Sequence, residues 1–319
     1  MNFARIARTV ALCTALAAAS SLLAGPENLD TTDAKSANEP VVETPTTSSA
    51  STFKLSGEYI GEETYVGESG VSRGHKMISD FDESDTTLQL VLTPRISLGV
   101  LRLGLQYERF AFGFPEKTSL PDTLQSGSFV VGLDTRLSDS ILMRVEAQPG
   151  FYGTNHFDTS NFSAPFIAGG TYIYNENLQL IAGVSVDVER KYPVLPTAGI
   201  RWKFAPQWVV NAVLPTPRLE YEANKNLTIY GGGVFKSSNF RVDDNFAPQL
   251  KNRDLGGTVL TYSEVRAGAG VDWKVTSYIT LTAETGYQPY RTFDFYRADV
   301  RFDQENSAPY GTLSIHGSF

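Results

Sequence analysis

Cysteine is nearly absent from the 319 residues: the one copy, Cys13, lies within an N-terminal stretch that reads as a removable export signal. The rest of the chain therefore has no thiol for a disulfide or a thiolate metal site. Histidine occurs three times, at His75, His156 and His316, which leaves little for imidazole chemistry. Long apolar runs are missing too. Beyond the signal, the longest uncharged stretch is residues 159–175, and Asn161, Pro165, Gly169 and Gly170 interrupt it. Nothing supplies the ~20 apolar residues that a membrane-crossing helix needs. Basic excess is also lacking. The 27 Lys and Arg are outnumbered by 35 Asp and Glu, giving a net charge of −8. The sequence therefore offers no basic surface of the kind nucleic acid requires.

The first 24 residues differ from the rest. Arg5 and Arg8 precede an apolar stretch at 9–19, and small residues continue to Ala24. This is the layout of a secretory signal peptide, with a core too short to span a bilayer and cleavage expected after Ala19 or Ala24. Loss of Arg5 and Arg8 takes the net charge from −8 to −10. Leu12 is bulky and the apolar stretch before Cys13 is short, so lipidation of that cysteine is not expected. Residues 25–51 are rich in Thr, Ser, Pro and Ala without apolar periodicity, and they read as a disordered periplasmic linker.

Residues 52–319 repeat one pattern: a segment alternating apolar and polar residues, a connection, then another segment. Ile141, Met143, Val145 and Ala147 oppose Arg144, Glu146 and Gln148. Val265, Ala267, Ala269, Val271 and Trp273 oppose Glu264, Arg266, Asp272 and Lys274. Period-two alternation means strands with one apolar and one polar face. Tight turns are expected at 97–99, 138–140, 175–177, 205–207, 224–226 and 276–277. Longer connections are expected at 63–85, 114–126, 153–163, 190–196, 236–257 and 288–308, with a tight Pro-Thr-Pro at 215–217 as the exception. Short turns on one rim and long loops on the other build a transmembrane β-barrel. The fold expected is therefore all-β, a single antiparallel transmembrane barrel of about 14 strands, or 12 if the pair flanking Pro215 and Pro217 does not cross.

The aromatic residues point the same way. Trp202, Trp208 and Trp273 each lie beside a predicted short turn, with Tyr221 at the same level. At the opposite ends of strands stand Tyr107, Phe110, Phe112, Phe151, Phe235 and Tyr287. Such girdles place amphipathic rings at membrane–water boundaries. The last segment ends on Phe319, with Ile315 and Leu313 on alternate positions. It resembles the C-terminal strand of bacterial outer-membrane proteins, whose terminal aromatic is read by the barrel-insertion machinery. Gly317 departs from that pattern. The run Leu214-Pro215-Thr216-Pro217-Arg218-Leu219-Glu220-Tyr221, followed by Asn224-Lys225-Asn226, is similar to a family of outer-membrane barrel domains of unknown function. The resemblance implies a barrel over most of residues 52–319 and no particular activity.

Alternation turns a set of charges inward: Arg102, Glu108, Asp134, Arg136, Arg144, Glu146, Asp187, Glu189, Arg201, Lys203, Arg218, Glu220, Glu222, Glu264, Arg266, Asp272, Lys274 and Glu284. Facing lipid, each Arg or Lys would cost about 2–4 kcal/mol at mid-bilayer. A wet lumen is their natural place, either as ion pairs bracing the wall or as a pore lining. His316 is expected in the lumen near the periplasmic end. The four carboxylates of Asp80-Phe81-Asp82-Glu83-Ser84-Asp85 are expected in a solvated first loop, without the glycine and glutamate of an EF-hand. His156, in a loop beside Asp158, is the one handle for a membrane-embedded hydrolase. An active histidine needs a partner in space, however, and spacing alone supplies none.

The leading functional expectation is an outer-membrane barrel with a polar, charge-lined lumen for passive diffusion or uptake of small polar solutes. The rival is a structural or ligand-binding barrel with a blocked lumen. Expected partners are outer-membrane lipid and lipopolysaccharide, the insertion machinery and small polar solutes. No nucleic acid, cofactor, metal or catalytic residue is expected.

Overall fold

The computed structural model describes residues 56–74, 76–115, 118–246 and 255–319. The expected signal peptide, the linker and His75 lie outside the described residues.

Fourteen antiparallel strands close on themselves. They are β1 (Gly57–Arg73), β2 (Lys76–Leu92), β3 (Gly99–Phe112), β4 (Thr123–Ser138), β5 (Ile141–Ala147, resuming at Gly150–Gly153), β6 (Phe162–Ser163 and Phe166–Asn175) and β7 (Leu178–Val186). There follow β8 (Val194–Ala205), β9 (Trp208–Val213), β10 (Arg218–Asn224), β11 (Leu227–Arg241), β12 (Val259–Lys274), β13 (Ile279–Phe295) and β14 (Val300–Gln304 and Ala308–Ser318). Prolines 149 and 165, which lack the ladder donor, mark the breaks in β5 and β6. β14 pairs with β1 from Ser318↔Glu58 to Tyr310↔Val66, so the first and last strands close the sheet.

Side-chain chemistry sets the short turns. Asn226 donates its N–H to Asn224 Oδ1, and Asn177 does the same to Asn175 Oδ1, both at 2.9 Å. These are turns in which a side chain replaces a backbone acceptor. Gly99 sits at φ 143°, and a Cβ there would strike the Asp134 carbonyl, so only glycine fits the first turn. The pair flanking Pro215 and Pro217 consists of two short strands, β9 and β10, which settles the count at 14 rather than 12.

Two expected connections are strands instead. Residues 63–85 belong to β1 and β2, joined by a tight turn, and 288–308 belong mostly to β13 and β14. The outward face explains why these strands outrun the expected span. On β3, Leu103 and Leu105 are exposed and Tyr107 follows; one position pair further, Arg109 is exposed. On β2, outward Leu88 and Leu90 give way to Thr86, and on β1 outward Tyr65 lies beside Glu63. The outward apolar band stops near Tyr107, about the 9–11 residues a tilted strand needs to cross a bilayer. Beyond it the pattern inverts, polar outside and apolar inside.

The inverted part holds the core of the molecule. Phe81, Phe110, Phe112, Leu124, Phe240, Leu260, Tyr262, Phe293, Phe295 and Phe302 pack together, all essentially buried. Phe110 and Phe112 were expected in the outer girdle; their even positions on β3 turn them inward, opposite to Tyr107. A β-bulge at Gln288–Pro289 lets β13 make this change: Ala267 faces Tyr287 but Val265 faces Tyr290, so one extra residue shifts the parity. Phe293 and Phe295 then point inward.

The wall is uneven. The β9–β10 hairpin is short, so β11 above Phe235 has no neighbour on that side within the ladder. There Arg241 pairs with Gly153 of β5, and the outward residues Asn239 and Arg241 bond Asp187 and Glu189. Both faces of upper β11 are thus covered, and its end meets strands from across the barrel.

Candidate functional site: the barrel interior

From the long-loop end to the short-turn end, the interior is stacked in layers. The aromatic core comes first. Its rings touch across the barrel, Phe112–Phe293 and Tyr262–Phe293 both at 5.1 Å between centroids and Phe110–Tyr262 at 4.9 Å.

Beneath it lies a dry ionic layer. Arg291 is wholly buried (0 % exposed) and stacks 4.1 Å over Phe81; its guanidinium donates to Glu83 at 2.8 Å and Ser69 at 2.7 Å. Tyr262 donates to the other Glu83 oxygen at 2.7 Å. Arg266 donates to Asp85 at 2.9 Å, to Thr64 at 2.7 Å and to Glu264 at 2.6 Å, and Gln288 also donates to Glu264. Lys236 reaches from β11 to Asp85 at 2.6 Å and to Glu108 of β3 at 3.2 Å. Charges this dry are tolerated only when paired and hydrogen-bonded. These pairs tie β11, β12 and β13 to β1, β2 and β3.

The next level is partly wet. Tyr230 and Tyr310 both donate to Glu284, at 2.7 and 2.5 Å. Arg218 reaches Glu220 and Asp272 and stacks over Tyr230 at 4.8 Å. Arg102 joins Glu58 at 2.6 Å and Glu146 at 2.9 Å. Nearest the short turns, Arg144 grips Asp134 through both carboxylate oxygens at 2.6 Å, and Lys203 pairs with Glu222. Arg201 and Lys203 are 39 % and 37 % exposed there, so the interior is open to solvent at this end.

The sequence-assigned charges thus fall into four places. Glu264 and Arg266 lie in the dry layer; Arg144, Glu146, Arg201, Lys203, Arg218, Glu220 and Asp272 line the wetter half, and Lys274 is exposed at the rim. Asp187 and Glu189 face upper β11 rather than a lumen wall. The acidic cluster of 80–85 is corrected: Glu83 and Asp85 are buried in β2, because alternation continues through the segment and sends Phe81, Glu83 and Asp85 inward. Their partners Lys236 and Arg291 were missed for the same reason, lying in segments read as loops. Trp208 packs against Tyr221, 4.9 Å between ring centroids and tilted by 50°, on the outer surface near the short turns, where Trp202 and Trp273 are about half exposed. Phe319 exchanges two backbone hydrogen bonds with Gly57. The departure at Gly317 has a steric cause, since the Tyr59 ring fills the space a Cβ would need. His156 is exposed, 3.5 Å from Asp243.

The profile of a domain of unknown function (DUF6268) matches residues 47–308. The chain belongs to the DUF6268 family. A comparison with curated proteins finds no match. Among solved structures, this DUF6268 barrel is similar to the COG4313 outer membrane channel from Pseudomonas putida F1, with 8 % identity, TM-score 0.47, and coverage of 86 % of this chain and 100 % of that one. The P. putida toluene transporter TodX aligns at 9 % identity and TM-score 0.39, covering 83 % and 90 %. The KdgM porin, solved with disordered oligogalacturonate, aligns at 10 % and 0.32, covering 83 % and 99 %.

Proposed function

We propose that this DUF6268 protein is an outer-membrane barrel whose lumen is blocked at rest, a ligand-binding or structural barrel rather than an open diffusion pore. The observation that carries this is the complete burial of Arg291, Glu83 and Glu264 beneath a continuous aromatic core. An ion moving through would have to strip these pairs, each of which loses its compensation once parted. Placement in the outer membrane is supported by the outward apolar band, the tryptophans near the short turns and the strand ending on Phe319. Lipid, lipopolysaccharide and the insertion machinery are its expected contacts.

A second reading, uptake of small polar solutes by a gated lumen, is favoured by the paired charges and solvent access at the short-turn end. Planar-bilayer recording separates the two. The full chain, inserted and resistant to heat unfolding, is expected to give no steady conductance. Stable open channels in the unmodified protein would overturn the blocked reading and favour the second.

A further inference from the structure

The outer wall from β14 to β4 carries a shallow, open apolar groove of about 630 Å³. Outward Leu88, Leu90, Leu105 and Phe129 stand around it, each roughly half exposed, while Gly61 and Gly127 leave hollows between them. Toward the long-loop end, the next row of the ladder places Glu63, Thr86 and Arg109 side by side on β1, β2 and β3. All three point outward, and Glu63 and Arg109 are exposed. Among the described residues no hydrogen bond or ion pair reaches Arg109, and Glu63 receives only the Thr86 hydroxyl, at 2.6 Å. Across the ladder on its other side, Glu63 faces Leu313, which is 69 % exposed, so this carboxylate stands at the edge of the apolar band.

This face complements itself. A second copy in the same membrane, turned by a two-fold axis along the membrane normal through β2, sets β1 of each copy against β3 of the other. Transmembrane strands tilt by about 40° and lie about 4.8 Å apart, so the row climbs by about 6 Å from β1 to β3. The direction follows from the strand ends: Gly61 is close to the short-turn end of β1, whereas Tyr107, on the same row, is far up β3. At equal height, Gly61 of one copy therefore meets Leu105 of the other, a hollow against a large side chain. Glu63 meets Tyr107, with Arg109 just above and within the reach of its own long side chain. Hydroxyl and guanidinium both donate, and the carboxylate accepts. Symmetry makes every such contact twice.

We propose that the outer face of β1, β2 and β3 is a dimer interface, in which Glu63 of each copy pairs with Arg109 of the other above an interlocked apolar groove. Lipid could cover the groove as well, but acyl chains would leave the Glu63 carboxylate without a cation at the edge of the band. A second copy brings that cation, and brings it where Arg109 itself lacks an acid. The inference rests on the outward band facing lipid and is independent of whether the lumen is open or blocked.

Oxidative cross-linking in membranes tests the interface, using the full chain with Cys13→Ser so that an added thiol is the only one. Thr86→Cys lies on the axis and should give a covalent dimer as the main product. Val271→Cys, outward on β12 and away from the groove, should not. Association is read independently from the mass of the protein in mild detergent. Glu63→Arg and Arg109→Glu each set like charges together at two places and should weaken association about tenfold. Both changes in one chain restore opposite charges and should recover the dimer, a rescue that a folding defect in either variant cannot produce. Equal cross-linking from both cysteines, or no recovery in the double variant, would overturn the assignment. So would a monomeric parent; if that monomer retains anionic lipid that Arg109→Glu loses, lipid is the occupant of the groove. Protein missing from the membrane fraction would overturn the membrane placement and the interface with it, whereas the other outcomes leave that placement intact.

Discussion

At the scale of single residues, facing decides tolerance. Ala269 lies on the outward stripe of β12 between exposed Ala267 and Val271, and Asp272 lies inside, bonded to Thr282 and Arg218. Ala269→Arg should therefore lower membrane levels and heat resistance by the equivalent of about 2–4 kcal/mol, while Asp272→Asn loses at most a partly wet ion pair. Equal tolerance would show that the band does not face lipid. A different asymmetry applies to the dry layer. Arg291→Met strands Glu83 as a buried carboxylate and should cost about 3–5 kcal/mol. Adding Glu83→Gln in the same chain removes the stranded charge and should return much of that loss, a coupling that thermal melts of the two variants would reveal.

At the scale of elements, Gly317 tests how β14 meets β1. Gly317→Leu would place on the terminal strand the apolar residue usual at that position, yet it must displace the Tyr59 ring. Overpacking of this kind costs about 1–3 kcal/mol. Slower assembly is expected, with Tyr59→Ala restoring it; no effect of either change would mean that the ring has room to move. Deleting Phe319 should impair assembly more than deleting residues 30–40, as membrane levels of the two truncations would show. Much of the element plan was legible because period-two alternation and turn chemistry are local signals. Ile141 through Ala147 and Val265 through Trp273 announce their faces without any knowledge of their neighbours. The ends of β1, β2, β13 and β14 were not legible, because strands there continue past the apolar band with the sign of the pattern reversed. A segment such as Asp80 through Asp85 then resembles a solvated loop when its polar residues are counted, although Phe81 keeps the inward parity that a packed strand requires. The candidate site was legible only in part for the same reason: Arg266 and Glu264 sit on a strand with clear alternation, whereas Lys236, Arg291 and Asp85 do not.

At the scale of the whole molecule, the barrel is a tall structure on one side and a low one on the other. β1 to β4 and β11 to β14 rise past the apolar band, while β9 and β10 end early and upper β11 is held by the segment around Asp187 and Glu189. Loosening that hold should matter more to closure than any single wall charge. Arg241→Ala removes a bond to Glu189 at 2.9 Å and one to the Gly257 carbonyl at 3.2 Å. Bilayer recordings of this variant are expected to show brief openings that the parent protein lacks, and silence in both would place the seal in the aromatic core instead.

The bonds across the dry layer also bear on the order in which the chain can assemble. Glu83 is separated from Arg291 by 208 residues and from Tyr262 by 179. Contacts of such separation form slowly, since the whole intervening chain must be placed before any of them is made. The dry layer is therefore the last thing built, and only a chain that has delivered both its first hairpin and its final three strands can build it. A barrel interrupted before that point stays loosely packed, which would leave incomplete molecules open to proteases and finished ones resistant.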